Sequence, residues 1–296
     1  MKKLKFKSAA LALVCVMGAL PALPGYAQND GIPVERMGRL RALGGDADQV
    51  NQQSKLQYDQ MLKQAHEKDV VATDRNPQLI RLRAIADRLI PFTKRWNPDS
   101  ANWKWEVNLL NSPTVNAFCM PGGRIAFYSG ILTKLNLTDD EVAAVMGHEI
   151  AHALREHARK QAGQNALTST VARVGGSLLA GYLGFDPRIG DAGGTAVAQV
   201  TALGFSRSDE SEADLVGLDL AARAGYDPRA GVALWTKMAA INKSQPISFL
   251  STHPTGKDRI KNMNDHMGLV LPVFARAKGL DPNKLPPYRS LALPAS

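Results

Sequence analysis

Apolar positions along the chain change their spacing several times, and each change marks an element. Lys2, Lys3, Lys5 and Lys7 precede a charge-free apolar run from Ala9 to Leu20, which ends in Pro21, Pro24 and the small-residue stretch Gly25-Tyr26-Ala27. A basic head, an apolar segment and a small-residue end predict a secretory signal peptide at 1–27, cleaved before Gln28. Its apolar part, about 12 residues, is too short to span a bilayer. Residues 28–45 lack periodicity, and 46–70 are polar and Gln-rich, which predicts a surface helix inside an N-terminal extension at 28–74. Asn76-Pro77 then has the cap-and-Pro signature of a helix start, followed by Leu79, Ile80, Leu82, Ile85, Leu89 and Ile90 at helical spacing.

Between Trp103 and Tyr128 the texture becomes short extended runs: 105–109, 115–119 and 124–128, the last two separated by the turn Pro121-Gly122-Gly123. A small antiparallel sheet is expected. Thr138-Asp139-Asp140-Glu141 is a capping box flanked by Leu137 and Val142 as a hydrophobic staple, so a helix is expected from about Asp139 to about Gly163. Residues 164–205 are rich in Gly, Ala, Ser and Thr. Their apolar stretch 174–185 is too short and too Gly-rich to span a membrane, and a helical hairpin or cover is expected. Further helices are expected from Ser208 or Asp209 to Gly225, from Asp227-Pro228 to about Asn242, and from about Gly256 to about Met267. A Pro-containing extended tail occupies 271–296. The core domain is thus 75–270.

Composition narrows the class. A chain of 296 residues with 45% hydrophobic content builds a real core, which excludes disorder, collagen-like repeats and disulfide miniproteins. The formal charge of +9 suggests nucleic acid or an anionic membrane. Loss of the four leader lysines lowers it to +5, and the remaining Lys and Arg are scattered without a recognition motif, so nucleic-acid binding is not supported. No lipobox precedes Cys15. Removal of the leader leaves Cys119 alone, in an apolar run that predicts a buried thiol.

The chemistry sits inside the capped helix. His148-Glu149-Ile150-Ala151-His152 is an H-E-x-x-H motif, expected by chance only about 0.003 times in a chain of this composition. Residues four apart lie about 40° from each other on one helix face, so both imidazoles can reach one Zn²⁺. Glu149 stands beside them as a proton acceptor. A His three residues past a Gly is absent as third ligand, since Arg155 and Ala158 hold those positions. His157, nine residues after His148, falls on the far side of an unbroken helix, at the surface or behind the ligands. A carboxylate from Ser206–Asp214 is then expected. Glu210 and Asp214 share a face, so Glu210 can bind the metal while Asp214 fixes a ligand imidazole; spacing alone leaves Glu212 open as the ligand.

H-E-I-A-H followed about 60 residues later by S-R-x-x-E-x-E-A-D resembles the zinc metallopeptidase family of HtpX and the CAAX prenyl proteases. Asn116-Ala117-Phe118 leading to Pro121-Gly122-Gly123, and Ser251-Thr252-His253-Pro254 leading to Arg259-Ile260, fit the same family. The resemblance implies an α+β, mainly α gluzincin with a small antiparallel sheet beside the active-site helix. It implies one Zn²⁺ on His148, His152 and Glu210, with Glu149 catalytic and Asp214 and Arg207 behind the ligands. His253 is implied to stabilise the tetrahedral intermediate or to occupy the open metal position. Asn116, Pro121, Gly122 and Gly123 border the cleft, where an extended substrate can add to a sheet edge as a strand. Unlike the multi-span members, this chain carries no span after its leader and resembles the soluble, exported, periplasmic branch without a C-terminal repeat domain. The function implied is a zinc endopeptidase acting on unfolded or misassembled envelope proteins. The other class to weigh is a zinc-containing chaperone or assembly factor, associated with envelope machinery, whose proteolysis is latent.

Overall fold

The computed structural model describes residues 30–168, 204–243, 247–254 and 257–294. The leader at 1–27, and all but the ends of the hairpin expected at 164–205, lie outside the described residues. In chain order the elements are α1 (Ala47–Glu67), α2 (Pro77–Leu89), β1 (Glu106–Leu110), β2 (Ala117–Met120), β3 (Arg124–Tyr128), α3 (Ser129–Lys134), α4 (Asp139–Leu154), α5 (His157–Thr168), α6 (Arg207–Arg223), α7 (Arg229–Asn242), α8 (Ser248–Thr252) and α9 (Lys257–Lys278). The architecture is mainly α with one small sheet.

The sheet is mixed rather than purely antiparallel. Its order is β1-β3-β2, with β3 parallel to β1 and antiparallel to β2. The chain leaving β1 crosses to the far edge before the Pro121-Gly122-Gly123 turn sends it back through the middle. Both glycines of that turn have positive φ, 84° and 86°, and a Cβ on Gly123 would lie 2.8 Å from the Trp105 ring.

Successive strand residues feed two different cores. Val107, Leu109, Ala117, Cys119, Ile125 and Phe127 face α2 and α4, while Leu110, Phe118, Met120, Ala126 and Tyr128 face α1. A sheet covered on both faces reads as unbroken apolar runs, as these strands do. The polar helix α1 therefore covers the sheet with a narrow stripe: Ser54, Tyr58, Met61 and Ala65 are buried, and Tyr58 Oη donates to the Ile125 carbonyl at 2.6 Å. Cys119 is fully buried, and burial pushes its thiol well above the usual range.

Helix α4 runs through the centre, with every side-chain position from Glu141 to Leu154 buried. Its capping box forms as expected: the Glu141 amide donates to Thr138 Oγ1 at 3.2 Å, and the Thr138 amide to Glu141 Oε2 at 2.8 Å. The helix is shorter than its periodicity predicts. It ends at Leu154, Glu156 takes a left-handed φ of 53°, and α5 restarts at His157. No Gly or Pro marks the break. In the opposite sense, α9 continues past Met267 and over Pro272 to Lys278, because Val270, Val273 and Ala275 remain buried beyond the expected stop. The tail then crosses the start of α4, where Tyr288 Oη lies 2.9 Å from Thr138 Oγ1.

Glu141 also accepts from the buried Lys237 Nζ at 2.8 Å and from Ser290 Oγ. Thr138→Ala should cost about 1 kcal/mol, the value of one N-cap. Glu141→Ala also strands a buried ammonium and should cost about 3–5 kcal/mol. Urea unfolding of the two variants measures the difference.

Candidate active site

Two helices carry the ligand candidates, and glycines let them meet. Gly147 of α4 faces Gly217 of α6. A Cβ on Gly217 would stand 2.8 Å from the His148 amide nitrogen, and one on Gly147 would stand 2.9 Å from the Gly217 carbonyl oxygen. Backbone cannot yield as a flexible side chain does, so this approach requires both glycines. It brings Glu210 and Asp214 of α6 against His148 and His152 of α4.

His148 Nε2 and His152 Nε2 lie 3.1 Å apart, and Glu210 carboxylate oxygens stand 3.5 and 3.4 Å from them. His253, in the turn after α8, brings Nδ1 to 3.2 Å from His148 Nε2 and 3.0 Å from Glu210 Oε1. Its ring stacks on Phe249, and the Phe249 amide donates to the Val115 carbonyl at 3.0 Å, which ties this turn to the chain entering β2. One ligand atom from each of His148, His152, Glu210 and His253 lies within 4.8 Å of the others, and all four residues are buried.

The donor set fits a cation. The outer nitrogens of both α4 imidazoles face acceptors: His148 Nδ1 lies 3.1 Å from Asp214 Oδ1, and His152 Nδ1 lies 2.9 Å from His157 Nδ1. With protons on those outer nitrogens, two Nε2 lone pairs face one another at 3.1 Å, an arrangement that needs a proton or metal between them. Nitrogen and carboxylate donors are what zinc prefers. Glu149 is fully buried, and neither of its carboxylate oxygens accepts a hydrogen bond among the described residues. Burial pushes its carboxyl up to about 8. An orphaned acid beside a ligand cluster is a group reserved for a proton in transit.

Burial would raise the Glu210 carboxyl as well, but His253, His148 and His152 overcome it and hold it well below the usual range. The same balance lowers Asp214, where Arg259 and His148 outweigh desolvation. Arg259, which closes the segment that begins at Ser251-Thr252-His253-Pro254, had no role from the sequence, and the structure places it behind the cluster. From α9 its guanidinium donates to both Asp214 oxygens at 2.7 and 2.6 Å, stands 2.6 Å from Glu210 Oε2, and lies over the Trp235 ring at 3.7 Å. Trp235 Nε1 adds a bond to Asp214 Oδ1 at 3.2 Å. Arg207, expected behind the ligands, is exposed in the first turn of α6, and Arg259 supplies the cation there instead. Helix periodicity carries no signal for a pairing 45 residues away in sequence.

His157 is buried behind His152 rather than on the surface. Glu212, left open as a ligand by spacing, points away from the cluster and pairs with His157 and Arg155. Asn116, Pro121, Gly122 and Gly123 lie buried around β2, one of the two edge strands, and Pro121 lines a narrow cleft together with His152, Asn51 and Trp103.

Residues 78–266, most of the helical core with all of these site residues, match peptidase family M48. The chain belongs to that family of zinc metallopeptidases. It is 38% identical over 157 residues to the mitochondrial metalloendopeptidase OMA1 of Arabidopsis thaliana, covering 53% of this chain and 30% of that protein. It is 28% identical over 282 residues to a putative beta-barrel assembly-enhancing protease of Vibrio cholerae, covering 93% of this chain and 54% of that protein. To the metalloprotease LoiP of Escherichia coli it is 28% identical over 262 residues, covering 86% of this chain and 96% of that protein. The chain thus spans between 30% and 46% of the length of the OMA1 relatives from plant and yeasts. Among the described residues, no helix is long and apolar enough to cross a membrane.

Gly217→Ala should force α6 away from α4 at a cost of about 1–3 kcal/mol. Metal affinity should fall with it, because Glu210 moves while the two α4 histidines stay. Urea unfolding together with zinc competition by a chromophoric chelator checks both.

Proposed function

We propose that this chain is an exported zinc endopeptidase of the cell envelope, with one Zn²⁺ held by His148, His152 and Glu210. The observation that carries the reading is Glu149: a fully buried carboxylate without a hydrogen-bond partner among the described residues, on the same helix as the two histidines. Bound in this cluster, zinc would act as a Lewis acid and lower the pKa of its water towards about 7. Glu149 accepts the proton of the attacking water and returns it to the leaving amide nitrogen. Asp214 orients the His148 ring, and Arg259 neutralises Asp214 and Glu210 together.

The substrate assigned is an unfolded or misassembled envelope protein. An extended segment adding to β2 is bound mostly through its main chain, which suits loose sequence preference, with Asn116 and the Pro121-Gly122-Gly123 turn at the two ends of that strand. The basic, apolar, small-residue order of residues 1–27 supports export to the periplasm. The name of the Vibrio cholerae relative, a putative beta-barrel assembly-enhancing protease, supports association with envelope assembly machinery.

One observation favours a latent form of this activity, as in an assembly factor with secondary proteolysis. His253 Nδ1 stands where a fourth ligand belongs, which supports a role in occupying the open position over one in binding the tetrahedral intermediate. His253→Ala should then raise casein cleavage several-fold, whereas a role in transition-state binding predicts a fall.

Glu149→Gln should retain zinc and lose about 10²–10⁴-fold in casein cleavage. Metal analysis with a cleavage assay reads both. A zinc-free wild type, or a fully active Glu149→Gln, would sink the mechanism.

A further inference from the structure

The two histidines of α4 are backed in different ways. His148 has a carboxylate behind it, Asp214, as metal-bound histidines commonly do. Behind His152 stands a second imidazole: His157 Nδ1, 2.9 Å from His152 Nδ1. Two facing imidazole nitrogens form a hydrogen bond only when one carries a proton and the other does not. For His152 to offer its Nε2 lone pair to a metal, its proton must sit on Nδ1, and His157 Nδ1 must accept it. A neutral His157 then carries its own proton on Nε2, where Glu212 Oε2 waits at 2.9 Å. Glu212 is in turn held by Arg155 Nε at 2.5 Å, with Arg41 at 3.9 Å. Each donor in this series has an acceptor, and the order has one direction.

The backbone is bent to make this possible. Five residues past His152, an unbroken helix would carry His157 about 140° around the axis. The left-handed Glu156, φ 53°, interrupts the helix and turns His157 back onto His152. A non-glycine residue in that region is uncommon and is found where a surrounding structure demands it. Phe205 stacks on the face of the His152 ring, centroids 4.1 Å apart, and helps hold it in place.

His157, Asp209 and Glu212 also lie close enough together to suggest a second metal site. That reading fails on charge: Lys160 Nζ already sits 2.5 Å from Asp209 Oδ1, and Arg155 holds Glu212.

We propose that His157 and Glu212 form a positioning dyad that fixes His152 in its metal-binding tautomer and orientation. This rests on the reading of His148, His152 and Glu210 as the zinc ligands. The dyad acts through His152 and touches neither metal nor substrate.

The test is zinc affinity, measured by chelator competition, together with the visible spectrum of the Co²⁺ form. His157→Phe keeps the ring volume and removes the acceptor, and should weaken zinc by about 10–100-fold, the usual loss when a ligand's outer partner is removed. The Co²⁺ spectrum should shift while far-UV circular dichroism stays unchanged. His157→Gln, whose amide oxygen can accept from His152, should recover most of the affinity. Because the two residues act in series, adding Glu212→Ala to His157→Phe should cost little more. Wild-type affinity in His157→Phe, no recovery with His157→Gln, or losses that multiply in the double variant would overturn the dyad. Should His157→Phe not fold, Glu212→Ala, at a side chain 28% exposed, should show the same loss of zinc affinity, and wild-type affinity there would overturn the dyad equally. Absence of zinc from the wild type and from Glu149→Gln would instead overturn the ligand reading beneath it.

Discussion

The backbone contact between α4 and α6 is the constraint on which the site depends. Carboxylates from one helix reach imidazoles on another only if the axes approach closely, and here the approach is close enough that neither Gly147 nor Gly217 has room for a methyl group. Once that contact is made, Glu210 and Asp214, one turn apart, meet His148 and His152, also one turn apart. The capping box, the sheet and the tail all serve to hold α4 in the centre, where this meeting takes place.

Such a site concentrates charge among buried side chains. His148, Glu149, His152, Glu210, Asp214, His253 and Arg259 are all buried. Burial of an ion is tolerated when a partner compensates it, and Arg259 does so for two carboxylates at once, clamped over Trp235. Glu149 is left out of this hydrogen-bond network among the described residues and carries a raised proton affinity instead. Glu210 and Asp214 each have the Arg259 guanidinium within 2.6 Å, whereas neither Glu149 oxygen accepts a hydrogen bond among the described residues.

Much of this was legible in the chain. The H-E-x-x-H motif, the capping box and the Asn76-Pro77 start are local signals, written within one or two helical turns, and each reappears where expected. Local spacing put Glu210 and Asp214 on one helix face but left Glu212 open, and the family resemblance chose between them. Arg259 stands in a matching segment, but its pairing with Asp214 was not legible, since the two lie 45 residues apart and meet only when α9 packs on α6. Position 207 carries the motif's arginine, yet at the first turn of α6 the side chain points outward to solvent.

The departures from expectation share one physical origin. The break after Leu154 lacks Gly or Pro, so periodicity runs through it and places His157 on the wrong side of the helix. The sheet looks like a meander because three strands follow one another, although pairing of β3 with β1 requires knowledge of which edge the chain crosses to. Local chemistry thus determined which residues share a helix face, cap and turn, because those interactions act over three or four residues of chain. Tertiary structure alone decided which helix ends break, which strands pair, and which arginine and histidine stand behind the ligands, because those outcomes minimise buried charge and fill space between segments far apart in sequence.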